Sequence, residues 1–194
     1  MRKGDLLADV LDRTHEVIAG VPAGAAEDPT PCTEWPVSRL TRHMVGWLKA
    51  YEALVATGEM PPGDPDDVEL RDPAGEFRAA ADGLLAAWRS GEGPDGAYRM
   101  MGDSPVPGTF LYPMMIGEYV GHGWDLAKAT GQPLTWSDDA ATVALESMRA
   151  MVQPSMRGPG KFVGEEVEVA DDAPPLEKLV AFAGRNPKWQ PPTG

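Results

Sequence analysis

Only one cysteine, Cys32, occurs in the 194 residues, which excludes an internal disulfide framework and a cysteine-based zinc finger. Positive charge is also sparse: 17 lysines and arginines face 30 aspartates and glutamates, a formal charge of −13. A basic face able to displace counterions from nucleic acid or an anionic membrane is therefore not expected. No apolar run approaches the ~20 residues needed to span a bilayer. The start, Met1 to Asp5, leads into an amphipathic segment rather than a continuous apolar signal region. A soluble, cytoplasmic protein is the expectation. Leu, Ile, Val and Phe are scarce, 36 residues together with only two isoleucines. With this net charge, such a composition borders on that of disordered chains. Ten methionines, six tryptophans and abundant alanine make up apolar content, and helical periodicity decides for a folded protein.

That periodicity predicts a first helix over about 5–18, capped by Asp5, with Leu6, Leu7, Val10, Leu11, Thr14, Val17 and Ile18 on one stripe. A second helix opens near Pro36 and runs to Thr57, carrying Leu40, His43, Met44, Trp47, Leu48, Tyr51 and Leu54; Gly58 closes it. A third covers about 74–90. A fourth covers about 109–130, with Tyr112, Met115, Glu118, Tyr119, His122 and Leu126 on its stripe and Gly131 in the favoured C-terminal position. An added helix fits 138–153, capped by Ser137, and a short one fits about 176–182. Residues 162–169 offer one short strand with no evident partner. The chain thus reads as an all-α four-helix bundle with long inter-helix connections, over 1–153, plus a C-terminal helical tail over 154–194.

Two stripes contain residues that packing alone does not explain. Glu118 and His122 are four apart, so they project from one face of the fourth helix. His43 sits on the apolar stripe of the second helix. A buried carboxylate is costly unless paired or bound to a cation, and two imidazoles with one carboxylate suit a divalent metal with one coordination position left open. Zn²⁺ suits these donors, but Ni²⁺ and Fe²⁺ accept them too, so ligand type alone does not choose the metal. Asp125, one turn on, can orient an imidazole from behind. Gly117, Gly121 and Gly123 would let a neighbouring backbone come close. Glu-x-x-x-His pairs are, however, common as solvated i,i+4 pairs, and a histidine in His43's place is often a hydrogen-bonded core residue. His15, off the main stripe, reads as exposed. Cys32 lies at a helix start but has no histidine near it in sequence, so a structural or incidental role is expected for it. Trp35, Trp47, Trp88 and Trp124 read as core or pocket lining, and the acidic clusters 64–67 and 165–172 as solvated loops.

The run Thr-Pro-Cys-Thr-Glu-Trp-Pro-Val-Ser-Arg-Leu-Thr-Arg-His (30–43), with Gly-Glu-Tyr-Val-Gly-His-Gly-Trp-Asp-Leu-Ala-Lys-Ala-Thr-Gly (117–131), resembles the DinB/YfiT-like metal-binding bundles. More narrowly, it is similar to the group related to the N-terminal domain of mycothiol-dependent maleylpyruvate isomerase. The ending Leu179 to Trp189 resembles the tail of small stand-alone members. The resemblance implies a divalent metal held by His43, Glu118 and His122, with a low-mass thiol such as mycothiol as co-substrate. It also implies a small-molecule substrate, for whose carboxylate Arg42, Arg78 and Arg89 are candidates. The residues after Pro154 are too few for the isomerase's further C-terminal domain. Three readings stay open: a metal-dependent thiol transferase or isomerase, a non-catalytic protein with a structural or sensing metal, and a small-molecule-binding protein. The oligomeric state, a homodimer included, is not legible.

Overall fold

The computed structural model describes residues 3–100, 104–133, 136–161 and 163–192. Among these, six α-helices follow in order: α1 (Lys3–Ala19), α2 (Val37–Thr57), α3 (Pro73–Ser90), α4 (Gly108–Ala129), α5 (Asp138–Met151) and α6 (Pro175–Phe182). The packed pairs α2–α3, α3–α1, α1–α4 and α4–α2 close a ring, and the architecture is an all-α bundle. Consecutive α1 and α2 stand at opposite corners of that ring, so residues 20–36 must cross the end of the bundle and cannot be a tight turn. α5 packs on α4, and α6 on α5. No helix among the described residues is long and apolar enough to cross a membrane.

The core is the sum of the four inward stripes. Leu7 and Leu11 of α1, Leu40, Met44, Leu48 and Leu54 of α2, Phe77 and Leu84 of α3, and Leu111, Met115 and Ile116 of α4 are fully buried. Each contributes roughly 1.5–3 kcal/mol of transfer free energy. Thr14 is buried among them because its hydroxyl donates to the Val10 carbonyl at 2.8 Å. Local chemistry sets the ends. Asp72 accepts from the Gly75 N–H at 3.0 Å at the start of α3, and Ser137 accepts from the Ala140 N–H at 3.2 Å at the start of α5. Gly131 takes φ +67°, the left-handed conformation that ends α4.

Several sequence expectations need correction. α1 starts at Lys3, so Asp5 lies inside the helix rather than at its cap. α5 stops at Met151, because Pro154 forces the preceding chain out of helical geometry. Of the expected strand, Phe162 lies outside the described residues. Residues 163–169 form none, since only Val163 bridges to Arg157 and the Val167 N–H donates to the Ala181 carbonyl. A two-residue antiparallel pair not expected from sequence, β1 (Ala97–Tyr98) with β2 (Val106–Pro107), ties the α3–α4 connection to itself. α4 is buried nearly all round, because α5 covers the side that faces away from the bundle axis. Its apolar stripe is therefore not the narrow one expected from spacing.

Candidate metal centre

α2 and α4 are neighbours in the ring, and that adjacency brings His43 to Glu118 and His122. His43 Nε2 lies 2.9 Å from Glu118 Oε1, and His122 Nε2 lies 3.7 Å from the same oxygen. One donor atom from each of the three residues falls within 4.8 Å of the others. They are not core residues: the side chains of His43, Glu118 and His122 keep 11%, 19% and 16% of their exposure. The site therefore sits where the bundle meets solvent, which the stripe pattern had placed inside.

Each imidazole is also held from behind. His43 Nδ1 is 2.8 Å from Asp66 Oδ1, and His122 Nδ1 is 3.1 Å from Asp125 Oδ2. Asp125 is fully buried, and its two oxygens accept from Nε and Nη2 of Arg185 at 3.3 and 3.0 Å. Two glycines make these approaches feasible. A Cβ on Gly46 would lie 2.0 Å from the Pro65 carbonyl oxygen, so glycine lets the 64–68 segment lie against α2 and bring Asp66 to His43. Gly184 (φ +82°) crosses Gly164 so closely that a Cβ would lie 2.5 Å from its Cα, and this turn delivers Arg185 into the bundle.

The electrostatics follow from this packing. Burial pushes the Glu118 carboxyl up, but His122, His43 and Arg185 outweigh it and hold it at about 2. Burial acts likewise on Asp125, and Arg185 with His122 keeps it below the usual carboxylate range. For His43, burial disfavours the imidazolium, yet Glu118 and then Asp66 raise its pKa above 6.5. The geometry explains why. If the proton on Nδ1 serves Asp66, a neutral His43 turns the Nε2 lone pair toward a carboxylate oxygen 2.9 Å away. Two lone pairs at that distance repel, so the gap calls for a proton or a cation. Two imidazoles locked by carboxylates, with both Nε2 atoms beside one carboxylate, are a donor set that fits a divalent ion.

The other candidates fall elsewhere. Arg78 pairs with Asp12 and lies 4.0 Å from Asp82, Arg89 is exposed at the end of α3, and Arg42 is exposed beside a groove behind Asp66. None reaches the centre, because each projects from its helix on a different side. The arginine that does approach, Arg185, lies in the tail, inside the Leu179 to Trp189 run that resembles small stand-alone members, but nothing in that run assigns it to the metal residues. Asp66 was likewise hidden in a run that reads as a solvated loop. Cys32 is closer than expected: its Sγ belongs with His122 and Asp125 within 4.8 Å. Burial, more than Asp125 and Glu118, pushes its thiol up to about 11 against the pull of Arg185. Trp35 stacks on His122 (5.6 Å) and tilts against His43 (4.5 Å), while Trp47 lies 5.9 Å from His43, so these two are site walls and Trp88 and Trp124 are core. His15 is half-buried on α1 and outside the cluster. Of the three glycines, only Gly117 faces a backbone, that of Ala144 in α5 at 3.9 Å. Gly123 instead receives the Trp136 ring, and Gly121 faces open space.

The model of the mycothiol maleylpyruvate isomerase N-terminal domain family matches residues 7–127. The chain belongs to this family. Two uncharacterized proteins of Mycobacterium tuberculosis, from strains CDC 1551 and H37Rv, are each 32% identical to it over 179 residues, covering 90% of this chain and 92% of the relative. No solved structure matches. The segment shared with the isomerase N-terminal domain family includes His43, Asp66, Glu118, His122 and Asp125, whereas Arg185 lies beyond it.

Proposed function

We propose that the protein is a metal-dependent transferase or isomerase that uses a low-mass thiol of the mycothiol type on a small molecule. The supporting observation is the convergence of two carboxylate-backed imidazole Nε2 atoms on Glu118 at a solvent-facing edge. In this reading His43, Glu118 and His122 hold a divalent ion, of which Zn²⁺ suits the donors best. When bound, such an ion supplies a Lewis acid that favours thiolate over thiol near neutral pH. Asp66 and Asp125 fix the imidazole tautomers so that both Nε2 atoms stay available as donors. Trp35 covers one side of the histidine pair and is itself packed under the Arg39 guanidinium at 4.9 Å, which restricts approach to the remaining side. In the metal-free protein burial pushes the Cys32 thiol up to about 11, which leaves it a poor nucleophile. The proposal sets the protein in the cytoplasm, where a free low-mass thiol remains reduced.

The test is optical. With Co²⁺ in place of the native ion, millimolar low-mass thiol should change the visible spectrum and release a proton, and Glu118→Gln should show neither. An unchanged spectrum in the loaded wild type would overturn the thiol reading.

One observation favours a second reading, a structural metal. Cys32 Sγ groups with His122 and Asp125 beside the His43–Glu118–His122 set, and a small shift toward the centre would make it a fourth protein ligand that closes the shell. Cys32→Ser separates the two. The thiol reading expects this variant to keep its metal and its spectral response within severalfold, as measured by metal analysis and Co²⁺ absorption. Loss of metal in Cys32→Ser would make the ion a closed, structural one.

A further inference from the structure

The three residues able to hold an ion come from α2 and α4, but the arginine behind them arrives from the tail. Its place is fixed from both ends. α6 closes in a Schellman turn, in which the Gly184 N–H donates to the Ala181 carbonyl and the Arg185 N–H to the Val180 carbonyl, each at 2.9 Å. Arg185 Nη1 then donates back to the Ala183 carbonyl at 2.9 Å, while Nε and Nη2 grip both oxygens of Asp125. The guanidinium is thus locked to its own helix end before it meets the bundle.

The decisive atom is Asp125 Oδ2. It accepts from Arg185 Nη2 at 3.0 Å and faces His122 Nδ1 at 3.1 Å, so one fully buried oxygen joins the tail to the imidazole. With the single imidazole N–H as its donor, the carboxylate would keep unmet lone pairs and could turn about its own axis. A side-on guanidinium fork removes that freedom, which an ammonium cannot do. His43 is backed differently. Asp66 comes from a loop, its side chain is 31% exposed, and among the described residues no guanidinium grips it.

We infer that Arg185 is a positioning residue for the metal centre, through which the docked tail orients Asp125 and hence His122. Metal affinity then depends on the tail, and a bound ion fastens the tail by the same factor, since coupling between two binding events is reciprocal. The inference rests on His43, Glu118 and His122 being ligands and is independent of any thiol chemistry. Partners that orient a ligating imidazole change metal affinity by about 10- to 100-fold. A buried ion pair that only holds the tail down would alter melting without altering affinity.

Co²⁺ alone is the probe, titrated into metal-free protein against a chromophoric chelator. Arg185→Lys, which keeps the charge and loses the fork, should weaken Co²⁺ binding at least about tenfold. Asp125→Asn should weaken it similarly, and adding Arg185→Lys to that variant should cost less than about twofold more, because the route through the carboxylate is already cut. Arg157 supplies the structural control. Its Nη1 ties the same tail through the Gly164 and Phe182 carbonyls, at 3.1 and 2.7 Å. Arg157→Lys should therefore lower the melting temperature and leave Co²⁺ affinity within about twofold. The wild type gives an arm that needs no variant: saturating Zn²⁺ should slow hydrogen exchange at the Gly184 and Arg185 amides about tenfold, the reciprocal of the affinity effect. Unchanged affinity in Arg185→Lys, an equal loss in Arg157→Lys, or tail exchange indifferent to Zn²⁺ would each overturn the inference. A wild type that binds no Co²⁺ at all would instead remove the metal centre, and this coupling with it.

Discussion

Purified without a polyhistidine tag, the protein is expected to carry about one equivalent of a divalent transition metal, and His122→Ala almost none. Three donors contribute jointly to affinity, and removing one imidazole leaves a pair that a chelator readily strips. His122 is the decisive choice because its ring is held by Asp125 and stacked under Trp35, so its orientation is already set before any ion arrives. Elemental analysis of both proteins after dialysis against EDTA checks this, and full retention in His122→Ala would reassign the ligands. The same site gives opposite pH behaviour with and without metal. In the metal-free protein the His43 pKa is raised above its unfolded value of 6.5. Its contribution to stability is therefore fully present below pH 6.5 and is lost as pH rises through the folded value. Metal competes with that proton, so occupancy instead falls as pH drops below ~6.5. Melting curves from pH 5.5 to 8.5 should show stability falling with pH in EDTA relative to His43→Gln. A wild type and His43→Gln with parallel curves would sink the assignment.

Arg185→Met is expected to destabilise the protein by roughly 3–5 kcal/mol, the cost of stranding a buried charge. Asp125 has no solvent exposure and receives two hydrogen bonds from this guanidinium. Without them its carboxylate keeps only His122 as a partner. For a chain of this length the melting temperature should drop on the order of 10 °C. Pairing it with Asp125→Asn should recover much of the loss, since the stranded charge is then gone. A drop of under about 2 °C in Arg185→Met, or a double variant no better than the single, would show that the pair contributes little. Calorimetry of the three variants decides it.

These two predictions differ in how much of their basis was legible beforehand. His43, Glu118 and His122 stood out because polar residues interrupt apolar stripes at helical spacing, a local signal. Asp66 and Arg185 carried no such signal. Asp66 sits in an acidic, proline-rich stretch whose composition matches any solvated loop, and Arg185 is one of eleven arginines. What distinguishes both is where a close glycine contact lets the backbone pass, at Gly46 and at Gly184. Arg42 shows the converse: beside His43 in sequence, it points away from the centre because successive residues on a helix are about 100° apart.

By itself the sequence determined the helices, their apolar faces and the polar residues that interrupt those faces, His43, Glu118 and His122. Those properties follow from 3.6-residue periodicity and from caps such as Asp72 and Ser137, which act within a few residues. Only the tertiary structure decided that α1 and α2 occupy opposite corners, that α5 seals the side of α4 facing away from the bundle axis, and that the centre lies at the solvent edge. It alone brought Asp66, Cys32 and Arg185 around the imidazoles. These residues come from loops and a tail whose paths are set by long-range packing, and packing between distant segments leaves no periodic trace in the chain.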